Sequence, residues 1–493
     1  MKKTILSILT AAAMIAGLIA GPGKTAVSAS EAADSGTLNG VSFVLIYNPD
    51  IFDENDAARQ VDSSRSTGDL ASQIITGLNR ADGLEKEMPA MISQAEINSG
   101  ISLKQGDRAN AKAGGMDPLY TVGDQADFYC CSQSLNTRTL ETFDCVYEGE
   151  HCYIWSLNGS VSDTEAADLG TEFDNVIYEK DVAAFGPARF TENGGKVNML
   201  FYPMEQSLGG FFTIYDIFAG TEVSELDKVT YGLNTDHAII NINSTAVAST
   251  PDLVKSTLAH EFQHQICASD CFYYSDTPMM RTWLNEAMSA YAEDLVYPGI
   301  KDQYYYNQAM YLSDLFRKGQ SLYNFNTTGD SSIGAYGAVY LFSQYMKEHA
   351  GDDIFLKVHD YWRTSMRADV SEAGALLSSV PDSFRDEISG KYSYPENIAP
   401  YFKSEEEEFL SKLALDFTLE SISPELAKLT EYKDQMHAAM LYTEVNPQEI
   451  EGGGRMLVAT QGDTFTIPSD SEKVMLYVGL DSDFNVVTDW IAG

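Results

Sequence analysis

Apolar and polar positions change their period along this chain. Between residues 120 and 245 the apolar residues alternate or run in short blocks, which predicts strands. These are Ala126–Cys131, Glu141–Tyr147, His151–Trp155, Lys196–Tyr202, Phe211–Tyr215 and Ala238–Asn243, with Gly149 as the break between the second and third. Ser162–Val182 reads as mostly helical. Ser162 and Glu165 have capping-box spacing at its start, and Gly170 weakens its middle. From Thr250 onward the apolar period becomes helical. Thr250 is a candidate N-cap, Pro251 suits the first helical position, and Asp252 is a favourable first-turn charge on an amphipathic helix that runs through His264. A second helix, opened by Thr277-Pro278, carries Trp283, Leu284, Ala287, Met288, Tyr291 and Leu295 on its apolar face. Residues 300–440 are mainly helical, with Ser404-Glu-Glu-Glu-Glu-Phe409 as an acidic helix start. Strand patterns return at both ends of the chain, in Asn39–Tyr47 and, after Gly452-Gly-Gly454, in Met456–Thr460, Thr464–Ile467 and Val474–Val478. The class expected is α+β.

Length and the chain's first residues set the domain plan. A chain of 493 residues is too long for one ordinary core. Lys2-Lys3, the apolar run Ile5–Ala20 and Val27-Ser28-Ala29 form the n-region, h-region and cleavage site of a signal peptide over 1–29. Residues 30–115 follow as an N-terminal region or propeptide, 116–185 as a β-rich domain, 186–440 as the helix-bearing catalytic part, and 441–493 as a short β-rich C-terminal segment packing on the N-terminal β part. Export and a soluble extracellular protein without a membrane span are the expectation. The formal charge of −40 argues against nucleic acid and anionic lipid as partners. Acidic loops attract calcium, yet no complete D-x-[DN]-x-[DN]-G loop is present, so Ca2+ has no support. Six cysteines in an exported chain permit disulfides, with connectivity left open.

The candidate chemistry lies in His260-Glu-Phe-Gln-His264. On a helix, His260 and His264 are one turn apart on one face, so both imidazoles reach a single metal ion. Glu261 is placed to act as general base toward a metal-bound water. A third ligand is available in Glu286 of Trp283-Leu-Asn-Glu286, and two His plus one Glu is a catalytic zinc set. Two histidines on an ordinary buried helix are the competing structural reading. Cys267 and Cys271 as zinc ligands would leave Glu261 and Glu286 without a role. His237 is expected on the surface or in a loop.

Thr257-Leu-Ala-His-Glu-Phe-Gln-His264 followed by Trp283-Leu-Asn-Glu286 resembles the gluzincin metallopeptidases, most closely their hyicolysin/pallilysin type. Gly123-Asp124 with Phe128, Gly149–Trp155, Phe173–Tyr178 and Tyr336–Phe342 extend the resemblance over roughly residues 120–350. It implies a zincin-like catalytic domain with one zinc ion on His260, His264 and Glu286, and Glu261 as base. It implies a tyrosine on the helix after the third ligand that donates to the oxyanion, for which Tyr336 is the candidate. It also implies that a strand at the place of Ala238–Asn243 lies along the cleft and pairs with extended substrate. Many gluzincins carry an acid four positions after the glutamate ligand. Here that position is Ala290, which leaves Glu293 or Asp294 to support a metal histidine, with Asn285 beside the ligand. The function expected is that of a secreted zinc endopeptidase acting on protein or peptide. The alternatives are a non-catalytic extracellular or matrix-binding protein on a zinc-protease fold, and a zinc hydrolase of non-peptide substrates.

Overall fold

The computed structural model describes residues 27–28, 37–50, 120–131, 138–191, 195–204, 209–213, 216–217, 220, 225–274, 280–298, 321–323, 331–365, 370–394, 398, 402–422, 441–442, 450–468, 475–488 and 491–492. Apart from Val27–Ser28, the expected leader lies outside them, as do the segment 51–119 and the helix opening Thr277-Pro278.

The chain is α+β. Strands β1 (Phe43–Tyr47), β2 (Gln125–Cys131), β3 (Arg138–Glu148), β4 (Cys152–Ser156), β5 (Val197–Tyr202), β6 (Gly210–Phe211) and β7 (Ala238–Asn243) are followed, after the helical part, by β8 (Arg455–Ala459) and β9 (Leu476–Leu480). One mixed six-stranded sheet has the order β2-β3-β4-β5-β7-β6. Pairs β2/β3, β3/β4 and β7/β6 are antiparallel, while β4/β5 and β5/β7 are parallel. The expected boundary at residue 185 therefore falls between strands that share one sheet.

Strands β4, β5 and β7 are buried on both faces, and alternation sorts their side chains. Val197, Met199 and Phe201 of β5, with Ala238, Ile240 and Ile242 of β7, join the main core with the helices. Leu200, Tyr202 and Ile239 point the other way, against Phe128, Phe143 and Trp155. Half-buried His237 sets its ring edge-on to Phe128, 5.4 Å between centroids. β7, the strand expected to lie along the cleft, is partly covered. It is hydrogen-bonded by β5 on one side and by β6 at Asn241 and Ile242 on the other. Among the described residues the outermost strand next to the motif helix is β6, the shorter one.

The predicted helix 162–182 forms as three pieces: α1 (Asp163–Glu172), a π-helical turn (Phe173–Ile177) and α2 (Tyr178–Phe185). The Ser162/Glu165 capping box is present. Gly170 serves close approach here: a Cβ on it would fall 2.2 Å from the Tyr147 ring of β3. The motif helix α3 (Pro251–Ala268) starts at Thr250 with Pro251 in its first turn, though Thr250 makes no side-chain cap bond. It was expected to be amphipathic, but from Ser256 to Ala268 every residue is buried. The sheet lies on one side of it and α2 and α4 (Thr282–Val296) on others, so its polar residues must find partners inside the protein. Helices α5 (Ser331–Ala350), α6 (Ile354–Thr364) and α7 (Glu405–Ile422) complete the helical layer.

The C-terminal segment finds its partner far upstream. β1 lies between β8 and β9, antiparallel to both, with Ile46 opposite Met456 and Tyr477. Val44 and Ile46 face a small cluster with Met456 and Val458, while Leu45 and Tyr47 face the main core. The Tyr47 hydroxyl donates to the Ser411 carbonyl of α7 at 3.1 Å, and Ser411 Oγ donates to Pro49 O at 2.9 Å.

Two predictions arise here. Each buried Val, Leu or Ile of β1 contributes roughly 1.5–3 kcal/mol. A chain beginning at Thr37 should keep its thermal midpoint, whereas one beginning at Ile51 should lose cooperative unfolding of the C-terminal sheet; equal midpoints would refute this role for β1. The second concerns Asp181 on α2, fully buried with neither carboxylate oxygen hydrogen-bonded. Burial pushes its carboxyl well above the usual range. A raised folded-state value means that folding takes up a proton once pH exceeds the unfolded value of about 3.9. Wild-type stability should then fall by up to about 1.4 kcal/mol per pH unit from there until the folded group ionises. Asp181→Asn should remove that slope, read by denaturant titration between pH 4 and 7.

Candidate metal centre

Pairing of α3 with α4 builds the centre. His260 and His264 leave α3 one turn apart, and Glu286 leaves the first turns of α4, anchored by buried Trp283, whose ring packs edge-on against Tyr323. One ligand atom from each of His260, His264 and Glu286 lies within 4.8 Å of the others. The two Nε2 atoms are 3.1 Å apart. Glu286 Oε2 is 3.3 Å from His260 Nε2, and its Oε1 is 3.4 Å from His264 Nε2. All three residues are fully buried.

Apart from the two imidazoles, the Glu286 oxygens have no hydrogen-bond partner among the described residues. A buried carboxylate in that condition is costly unless a cation compensates it. Two imidazoles and one such carboxylate match the donor set that zinc takes. Burial opposes ionisation of Glu286, but the two imidazoles outweigh it and hold its carboxyl well below the usual range. Burial likewise opposes charge on His260, yet Glu286 and Glu293 push its imidazole up to about 10.

Glu261 lies beside this trio and is also fully buried. Its Oε2 accepts the Phe212 backbone N–H at 2.7 Å, while its Oε1 has no hydrogen-bond partner. Burial pushes its carboxyl up, against the pull of the two imidazoles. The Phe212 contact comes from the chain just past β6, so the sheet edge orients the carboxylate. No side-chain pattern announces a backbone N–H, and sequence reasoning missed it.

The support for His260 resolves between the two expected acids. Glu293 Oε1 is 2.9 Å from His260 Nδ1, and its Oε2 accepts from Ser256 Oγ at 2.6 Å. Asp294 instead accepts from the Tyr340 hydroxyl of α5 at 3.2 Å. Ser256, one turn before His260, and Ser289, one turn after Glu286, are further polar groups that sequence reasoning passed over. Their helical spacing from the ligands was the available signal. Asn285 is buried, and neither of its side-chain polar atoms has a hydrogen-bond partner. Tyr336 is buried on α5, the helix packed along α4. The six cysteines are buried thiols, and burial raises those of Cys130, Cys131 and Cys145 to about 11.

A carboxylate on Nδ1 orients an imidazole ligand and raises its basicity. Glu293→Gln should therefore weaken zinc binding by about tenfold and Glu293→Ala by up to about a hundredfold, measured by competition with a chelator. Unchanged affinity in the alanine variant would show that Glu293 does not support the site.

No protein-family model matches the chain. Its sequence is 29% identical over 253 residues to the neutral metalloprotease ShpI of Staphylococcus hyicus, an alignment covering 48% of this chain and 55% of that protein. The chain thus spans about half the length of the curated relative it matches. This likeness and the buried His260, His264 and Glu286 trio together support a metallopeptidase, with zinc as the metal that best fits the donors.

Proposed function

We propose that this chain is a secreted zinc-dependent endopeptidase of the hyicolysin/pallilysin type, with His260, His264 and Glu286 as zinc ligands and Glu261 as general base. The observation that carries the reading is the convergence of two buried imidazoles and the buried Glu286 carboxylate, whose oxygens have no polar partner but those imidazoles among the described residues. A zinc ion held by His260, His264 and Glu286 would supply Lewis acidity toward a carbonyl and a water. Glu261, held at Oε2 by Phe212 N–H, presents its open Oε1 to take a proton from water and pass it to the leaving nitrogen. The outer edge of β6 offers backbone groups to an extended peptide, which is strand addition with little side-chain demand. Tyr336 is the proposed donor to the oxyanion. Among the described residues no helix is long and apolar enough to cross a membrane. The reading 1–29 as a signal peptide supports export.

The test is casein or gelatin turnover by wild type and Glu261→Gln, with zinc measured on both. Wild type should turn over substrate, the variant should lose about 10²–10⁴-fold, and each should hold about one zinc. Full activity in the variant would remove Glu261 as base, and absence of zinc from both would overturn the assignment. Tyr336→Phe should lower kcat about 10²–10³-fold with KM little changed; an unaltered kcat would reassign the oxyanion donor.

A further inference from the structure

The Phe212 N–H that holds Glu261 is itself held from across the sheet. Phe212 and Thr213, just past β6, are buried. The Asp216 N–H donates to Thr213 O at 3.0 Å and closes a turn directly after them. The Asp216 carboxylate is fully buried and bound to β3: Arg138 Nη2 donates to Oδ1 at 2.8 Å and to Oδ2 at 3.1 Å. Asn234 Nδ2 donates to the same Oδ1 at 2.8 Å. Both donors also reach Tyr129 O on β2, at 3.0 Å from Arg138 Nη2 and 2.9 Å from Asn234 Nδ2. Asn234 Oδ1 accepts the Tyr129 N–H at 2.7 Å, so one amide side chain engages both backbone groups of Tyr129, as a neighbouring strand would.

Strand pairing does not produce this contact. In the sheet order, β4, β5 and β7 lie between β3 and β6. The sheet curls instead, as the Tyr202 hydroxyl of β5 shows: it accepts the Cys131 N–H of β2 at 3.3 Å and donates to Asn241 Oδ1 of β7 at 3.1 Å. β6 itself has little hold on its place. It pairs with β7 through Gly210 and Phe211 alone. Its approach to α3 is close, because a Cβ on Gly210 would fall 3.0 Å from Thr257 Cγ2 and 2.7 Å from Asn241 O. The chain beyond this short strand needs a second fastening if Phe212 is to stay over Glu261. Charge-assisted hydrogen bonds fix position more firmly than neutral ones, and Asp216 receives them four residues after Phe212.

We propose that Arg138, Asp216 and Asn234 are positioning residues for Glu261: their buried contacts anchor the chain past β6 and so fix the Phe212 N–H that aims the carboxylate. The proposal rests on the reading of Glu261 as general base. A purely structural ion pair would alter stability and leave turnover per folded molecule unchanged.

The experiment compares full-length wild type, Asp216→Asn, Arg138→Met and Asn234→Ala. Three quantities are read per folded molecule: turnover of saturating casein, zinc affinity by chelator competition, and hydrogen exchange of the backbone over residues 209–213 by mass spectrometry. Asp216→Asn and Arg138→Met should each lower turnover about 10–100-fold, the cost of displacing a reacting group by about 1 Å. Exchange over 209–213 should speed up in both. Zinc affinity should stay within about twofold of wild type, because neither residue touches a ligand. Wild-type turnover in the two folded variants overturns the proposal, as does unchanged exchange over 209–213. Zinc binding weakened in step with turnover also overturns it, since the pair would then hold the whole centre and not Glu261. If neither variant folds, Asn234→Ala decides by the same readouts: lower turnover with faster exchange and retained zinc supports the anchor, and wild-type behaviour overturns it. Full turnover in Glu261→Gln overturns the base assignment itself, and the inference falls with it.

Discussion

Burial of the His260, His264 and Glu286 trio is the constraint on which the rest of the molecule depends. Two imidazoles and a carboxylate are withdrawn from water in a space a few ångströms wide, with Glu261 and Glu293 next to them. Charges in such surroundings are tolerated only when each is matched by a partner or a cation. The neighbouring polar groups are arranged accordingly. Glu293 and Ser256 hold His260, Phe212 N–H holds one oxygen of Glu261, and Ser289 stands at His264. The atoms with no further partner among the described residues, both oxygens of Glu286 and Oε1 of Glu261, are those the proposed chemistry uses.

The sheet and the helices divide the work of holding this arrangement. Strands buried on both faces give α3 a rigid floor, and the chain just past β6 fixes Glu261 through Phe212 N–H. On the opposite side α4 supplies Glu286 and the Glu293 that holds His260, so a shift of α4 against α3 would disturb both together. α6 is farther away but enters through His359 and Arg363, which fasten the turn after α3. The far ends of the chain meet on the helical part as well. β1 joins β8 and β9 into one sheet, and Tyr47 ties that sheet to α7.

Near-neighbour patterns were legible in proportion to how local their physics is. α3 begins where Thr250-Pro251-Asp252 places it, because capping and a fixed proline φ act within one turn. The two histidines share a face because the helical period demands it. The strands Val197–Tyr202 and Ala238–Asn243 stand within a residue of their expected bounds. Gly170 was legible only as a helix weakness; the tyrosine ring arriving from another strand, which leaves no room for a Cβ, was not. The amphipathic expectation for α3 failed for a similar reason: helices on several sides bury polar residues that no local rule would bury.

The sequence by itself determined the class of the fold, the motif helix and the residues able to bind a metal, because helical period, caps and ligand chemistry are properties of short stretches. Tertiary structure alone decided that β6 pairs outside β7 at Asn241 and Ile242, that β1 pairs with strands more than 400 residues away, and that Glu293 and not Asp294 lies at His260. Consecutive helix residues point about 100° apart, so either acid is an equally good helix residue. Only the packing of α4 between α3 and α5 turns Glu293 to the histidine and Asp294 to Tyr340.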